Sequence, residues 1–156
     1  SMKNLISLIT ISMTALVINP VYGAEGKSHV PGVFAGVTHV DGETDLTWGL
    51  EYEYKINSTW GVGVSYEDLP NGHEGDGVSV KVANLFYHPD SNWRIGVGYG
   101  EEKIGGYKPK TNSLYRLVGS YDFHLGDFGI APTLAIDFID SGEDALVLGV
   151  AIVRPF

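Results

Sequence analysis

Between residues 46 and 56 the chain alternates without exception. Leu46, Trp48, Leu50, Tyr52, Tyr54 and Ile56 share one parity, and Thr47, Gly49, Glu51, Glu53 and Lys55 share the other. Side chains repeat every two residues only in an extended strand, so this segment is β and its two faces meet different surroundings. The rhythm returns in Trp60, Val62, Val64 and Tyr66 against Gly61, Gly63, Ser65 and Glu67, and in Trp93, Ile95, Val97 and Tyr99 against Arg94, Gly96, Gly98 and Gly100. Turn-type residues interrupt it at intervals of about a dozen residues, the spacing of an all-β chain. We expect strands at about 31–40, 45–56, 60–69, 77–88, 93–104, 112–125, 128–139 and 145–156. Eight is an even number, which lets both ends of an up-and-down meander lie on one side of a membrane. The fourth and sixth are less regular. In the fourth, the face of Val78, Val80 and Val82 passes to Asn84, which predicts a bulge or a change of face near Val82.

The last strand sets the closure. Phe156, Arg154, Ile152, Val150, Leu148 and Leu146 form a bulky face, while Pro155, Val153, Ala151, Gly149 and Val147 form a small one. A free edge there is an aggregation hazard, and pairing with the first strand removes it by closing a barrel.

Ahead of the strands, Ser1 is set aside as a non-native addition. Residues 2–24 have a basic start at Lys3, an apolar run from Leu5 to Ile18 and a small-residue end at Ala24. That is the pattern of a cleaved secretory signal peptide. Residues 25–30 then form a polar periplasmic leader and 31–156 the barrel. No other run is long and apolar enough for a transmembrane helix, so any crossing must use strands that satisfy each other's backbone groups. Cysteine is absent from the 156 residues, so no disulfide supports the fold. A net charge of −9 argues against nucleic acid as a partner.

The connections alternate in kind. Residues 57–59, 90–92 and 126–127 are tight turns, whereas 41–43, 70–76, 105–111 and 141–144 are mostly longer and more polar. The segment 57–67 matches 90–100 with its turn, Trp and Tyr in register, which implies one hairpin unit used twice. Aromatics fall near strand ends. Tyr54, Trp60, Tyr87, Trp93, Phe123, Phe128 and Phe156 lie toward the tight turns, and Trp48, Tyr66, Tyr99, Tyr115 and Phe138 toward the loops, as two interfacial girdles require.

Alternation alone does not say which face looks out. A charged exterior gives a soluble periplasmic barrel with an aromatic-lined pocket, of lipocalin type. A charged interior gives a transmembrane barrel. The small, glycine-rich polar face suits the inside of a narrow cylinder, and it carries both signs, Glu51, Glu53, Glu67, Asp122 and Asp137 with Lys55, Arg94 and Arg116, so buried charges have partners. We therefore read an all-β, eight-stranded antiparallel up-and-down transmembrane β-barrel.

From about residue 33 to the end the chain resembles the small bacterial outer-membrane barrels of the OmpA and OmpX type. The likeness rests on residues 48–54 (Trp-Gly-Leu-Glu-Tyr-Glu-Tyr), 57–60, 84–87, 93–99 and the last strand. It implies a bacterial outer-membrane location, contact with lipid and lipopolysaccharide, and a monomer. It also implies an assembly signal in Phe156, Ile152 and Val150 for the barrel-assembly machinery, although Arg154 departs from that signal's apolar pattern. These are architectural patterns and do not select an activity.

No residue set stands out for catalysis, and no cofactor or metal is expected. His29, His39, His73, His88 and His124 are scattered, and neither Ser113 nor Ser120 has a histidine at esterase spacing. The expected function is non-enzymatic, serving envelope structure or surface interaction around a charged, plugged interior; a small pore is the alternative within the membrane reading. Lys108 and Lys110 are candidates for lipopolysaccharide phosphates, and the acidic loops for divalent cations.

Overall fold

The computed structural model describes residues 27–156, so the expected signal peptide lies outside the described residues. The strands are β1 (His29–Val40), β2 (Glu43–Lys55), β3 (Trp60–Leu69), β4 (Val78–Tyr87), β5 (Trp93–Ile104), β6 (Lys110–Tyr121), β7 (Phe123–Leu125), β8 (Phe128–Ile139) and β9 (Asp144–Val153). Strands β1 to β6 pair antiparallel in sequence order, β6 and β7 both pair with β8, β8 pairs with β9, and β9 pairs with β1, closing the barrel.

Nine strands make eight staves. β6 and β7 both pair with β8 in one register, Ser120 with Thr133 and then Phe123 with Ile130. The gap at Tyr121 and Asp122 falls across from Pro132 and Ala131, and proline has no N–H to give to a ladder. The closing seam runs further than the regular strand. Arg154 N–H donates to the Pro31 carbonyl at 3.0 Å, and His29 and Phe156 exchange backbone bonds of 2.9 and 2.8 Å. The seam thus begins at His29, two residues earlier than expected.

The inversion read from the sequence is the one that forms. Trp60 and Trp93 stand on the outer surface, 43% and 49% exposed, while Glu53 is 1% exposed within. A soluble barrel with inward aromatics is the opposite arrangement. β4 corrects one expectation: Val78, Val80, Val82, Asn84 and Phe86 all point inward, and its ladders to β3 and β5 are unbroken. There is no bulge because the lumen is not uniformly polar. At the loop end Val78, Val80 and Val82 join Leu69, Ile104, Leu114 and Ile139 in an apolar cluster.

The repeated hairpin has a chemical cause. In one copy Asn57 Oδ1 accepts from Thr59 N–H and Trp60 N–H at 2.8 and 2.7 Å; in the other Asp90 Oδ1 accepts from Asn92 N–H and Trp93 N–H, both at 2.8 Å. An Asx side chain replaces a backbone acceptor in each turn, which is why Asn and Asp exchange there. The two donors hold the Asp90 carboxyl below its ordinary range. On the loop side, residues 41–43 prove tighter than expected: Asp41 and Gly42, with φ of 50° and 77°, make a two-residue turn.

Inward glycines make space. A β-carbon on Gly63 or Gly96 would collide with the Phe86 ring, one on Gly61 with the Glu53 carboxylate, and one on Gly36 with the Leu148 carbonyl. Gly119 faces outward with nothing near it. Gly36→Ala should therefore destabilise the barrel by about 1–3 kcal/mol. Gly119→Ala should stay within about 0.5 kcal/mol of the parent. Denaturant unfolding in lipid vesicles measures both, and equal effects at the two sites would contradict the packing described.

Candidate functional site

The lumen holds two clusters of charge. In the loop half, Arg116 on β6 is inward by parity, with Gly98 beside it on β5 and Asp137 opposite on β8. Its guanidinium donates through Nε and Nη2 to Asp137 at 2.6 and 2.7 Å, and through Nη1 and Nη2 to Glu67 at 2.6 and 2.8 Å. Glu67 comes from β3, with Gly49 beside it on β2, so the clamp joins distant parts of the wall. All three side chains are buried, Arg116 at 4% exposure. The planar fork of arginine meets a carboxylate along two edges, a geometry that lysine cannot supply. Beside the clamp, buried Glu102 accepts from Asn112 Nδ2 at 3.0 Å, and Thr38 and Thr47 pair their hydroxyls at 2.7 Å.

In the tight-turn half, Glu53 is the hub. His88 Nε2 donates to its Oε2 at 2.5 Å, and Arg94 Nη1 approaches its Oε1 at 3.4 Å. Arg94 also lies 3.6 Å from Glu51, donates Nε–H to Ser120 Oγ at 3.1 Å, and stacks 4.3 Å over the Phe86 ring. The ion contacts of Arg94 are longer than those of Arg116, while His88 holds Glu53 as closely as any pair in the lumen, so the looseness of this cluster is confined to its arginine. It also opens on a cavity of about 950 Å³ at the tight-turn end, lined by Glu53, His88, Arg94, Lys55 and Asp122 among others. A second cavity, of about 260 Å³, lies at the loop end against Glu67, Glu102 and Asp137. The two share no lining residue, and Arg116, Asn84, Phe86 and Leu114 line neither.

Of the eight charges read as one network, Glu51, Glu53 and Arg94 meet in one cluster and Glu67, Arg116 and Asp137 in the other. Lys55 and Asp122 join neither. Lys55 is half-buried at the mouth of the larger cavity, and Asp122 lies 3.8 Å from His124, whose Nε2–H instead donates to the Ser91 carbonyl at 3.0 Å. His88, Ser120 and Glu102 were not in the set. Counting parity from Arg94 along β5 reaches Glu102, and register with β6 places Ser120 opposite Arg94, so both were within reach of a pairing argument. His88 lies just past β4, but it ends the expected 77–88 strand on the inward parity of Asn84 and Phe86, so it too was within reach of the count.

Outside, the aromatic residues meet across strands. Trp60 and Tyr87 have ring centroids 5.3 Å apart, Trp93 and Tyr121 5.0 Å, Trp48 and Tyr66 6.4 Å, and Tyr99 and Tyr115 5.2 Å. Tyr54 packs on His29 and Phe138 stands opposite Tyr115. Phe156, Ile152 and Val150 are exposed on the outer face of the seam. Arg154, the residue that broke the apolar ending, lies over the Phe128 ring at 5.3 Å. A cation on an aromatic face is tolerated among apolar neighbours, which accounts for it there.

Deleting the central cation should be costly. Arg116→Leu leaves Glu67 and Asp137 buried without a partner and should lower stability by about 3–5 kcal/mol. The triple replacement Glu67→Leu, Arg116→Met, Asp137→Leu should recover most of that loss, because no charge is then stranded. Unfolding midpoints of the refolded variants read this directly; a triple variant no better than the single one would refute it.

No protein-family model and no curated protein sequence matches the chain. Solved structures do. The N-terminal β-barrel domain of Pseudomonas aeruginosa OprF aligns with a TM-score of 0.57 at 15% identity, over 80% of this chain and 96% of that one. Neisserial surface protein A aligns with a TM-score of 0.59 at 9% identity, over 82% and 96%. The Yersinia pestis outer membrane protein Ail, solved in a phospholipid bilayer nanodisc, aligns with a TM-score of 0.53 at 15% identity, over 81% and 99%. At these identities the likeness is one of fold: this chain has the eight-stranded, up-and-down architecture of transmembrane barrels.

Proposed function

We propose that this chain is a non-enzymatic outer-membrane barrel with a closed lumen, serving envelope structure or surface interaction. The observation that carries the reading is the Arg116 clamp, which ties β6 to β3 and β8 across the interior, between two end cavities with no lining residue in common. Eight staves enclose a space that side chains can fill, and here charged groups, Phe86 and the apolar cluster fill it. An ion crossing it must break charge-assisted hydrogen bonds shorter than 3 Å.

The membrane part of the reading rests on the outer surface. Leu50, Val64, Val97, Leu117, Leu134 and Leu148 are exposed between the two sets of aromatics, an apolar band that has no reason to face water. The aromatics then serve as interfacial girdles and the outward residues of β9 as the assembly signal for the barrel-assembly machinery, in a monomer exported by a cleaved signal peptide. A non-enzymatic role is favoured by the serines: Ser120 is bound by Arg94 and Ser113 faces outward without a histidine partner.

Refolded into phosphatidylcholine vesicles, the protein should migrate differently on gels with and without boiling. Trp48, Trp60 and Trp93 should be quenched by brominated lipid tails. In planar bilayers it should pass no resolvable current across a range of voltages. Discrete conductance steps would replace the closed lumen by the small pore, and a protein that stays in water without detergent would overturn the membrane reading.

A further inference from the structure

The smaller cavity, at the loop end, is walled by acids. Asp41, Glu43, Asp45, Glu74, Glu102 and Glu143 line it beside Glu67 and Asp137, and no Lys or Arg does. Arg116 pairs with the last two. Among the described residues none of the other six makes an ion pair. His73 is the one lining group that can carry positive charge, and its Nδ1 lies 3.3 Å from Asp76, which is not part of the lining. Lys110 has the inward parity of its partner Ile104, but it is exposed at the rim and does not line the cavity.

Acids on a rim are ordinarily solvated, and two of these are not. Glu102 is 8% exposed, and its one hydrogen bond among the described residues comes from the neutral amide of Asn112 at 3.0 Å. A carboxylate so placed is withdrawn from water with no cation to offset the cost. Asp45 Oδ2 is also buried, and it accepts no hydrogen bond. The acids lie in two tiers. Glu67 and Glu102 flank Val80 in one inward row, and Leu69, Val78 and Ile104 form the next, about 7 Å nearer the loops at a rise of roughly 3.3 Å per residue. Past that apolar belt come Asp45, four residues beyond the Gly49 that faces Glu67, with Glu74 on the β3–β4 loop and Glu143 on the β8–β9 turn.

A metal ion needs several such oxygens at one point, and among the described residues no three His, Asp or Glu side chains converge in that way. An ammonium group needs only an acid or two beside it, and a methylene chain needs apolar surface between the acids. We propose that the loop-end cavity binds a small linear polyamine. One ammonium sits at Glu102, the methylene chain runs along Leu69, Val78 and Ile104, and a second ammonium lies among Asp45, Glu74 and Glu143. The cavity holds about 260 Å³, below the roughly 300–1,000 Å³ of sites for drug-sized ligands, which limits the occupant to a slender one. This binding goes beyond the envelope role proposed above and does not depend on it.

The test is calorimetric titration of the full barrel in phosphatidylcholine nanodiscs, whose lipid has no net charge, with empty nanodiscs as the blank. Putrescine, a four-carbon diamine, should bind the parent about tenfold or more tightly than butylamine, which has the same chain and one ammonium. Its affinity should fall about tenfold or more in Glu102→Gln, and likewise in Asp45→Asn. It should be unchanged in Glu101→Gln, where the same charge is removed from the outward face. Magnesium should displace putrescine no better than sodium does at matched ionic strength. Equal affinity for parent and cavity variants overturns the site, and so does equal affinity for the two amines. Displacement by stoichiometric magnesium overturns the polyamine in favour of a metal ion. Migration with and without boiling shows that each variant is folded; if Glu102→Gln fails there, Asp45→Asn and the two amines decide the question.

Discussion

An N–H or C=O group left unpaired inside a bilayer has no water to turn to, and that constraint organises this molecule. The answer to it is the seam between β1 and β9, continued by the backbone exchange between His29 and Phe156. With the seam closed, no stave has a free edge within the belt. The one weak point in the ladders lies where Pro132 faces Tyr121, and pairing resumes at Phe123 in the same register. The interruption therefore costs a local bond and leaves the cylinder intact.

Closure with eight staves fixes a narrow radius, and the radius dictates what the inward positions can be. Long charged side chains fit only where a neighbouring position is nearly empty. Glu67 has Gly49 beside it, Arg116 has Gly98, and Glu53 folds toward Gly61 and Gly63. Each arginine lies between two acids; Arg116 has enough donors to satisfy both of its own, whereas Arg94 leaves Glu51 Oε1 without a hydrogen bond. Such clusters return their desolvation cost only when every member is bonded, so glycine spacing and ion pairing are one requirement seen from two sides.

Much of this was legible because period-two alternation transmits a burial decision over ten residues at a time. The number of staves, the outward tryptophans and the inward Glu51, Glu53 and Arg94 all follow from parity once one face is assigned. What parity cannot do is say how far across the lumen a side chain reaches. Lys55 and Asp122 have the right parity, yet both lie where the barrel opens, so they meet the larger cavity and not the network. β4 misled for a related reason. Its valines have the composition of a lipid-facing surface, but at the loop end apolar residues line the inside, and hydropathy without height along the strand cannot separate the two. The identical roles of Asn57 and Asp90 were visible only as a repeat; the hydrogen bonds supply its cause.

The two halves of the lumen are built to different standards, and the difference has a consequence for motion. At the loop half Arg116 is held by four bonds under an apolar cluster, so any opening there must leave two buried carboxylates without their cation. At the tight-turn half Arg94 makes ion contacts of 3.4 and 3.6 Å and borders a large cavity, so its guanidinium can exchange partners with water while His88 keeps Glu53 bonded. Rearrangement thus costs less at Arg94 than at Arg116. The Arg116 clamp can stay shut while the lower cluster rearranges, because the two guanidiniums share no acid between them.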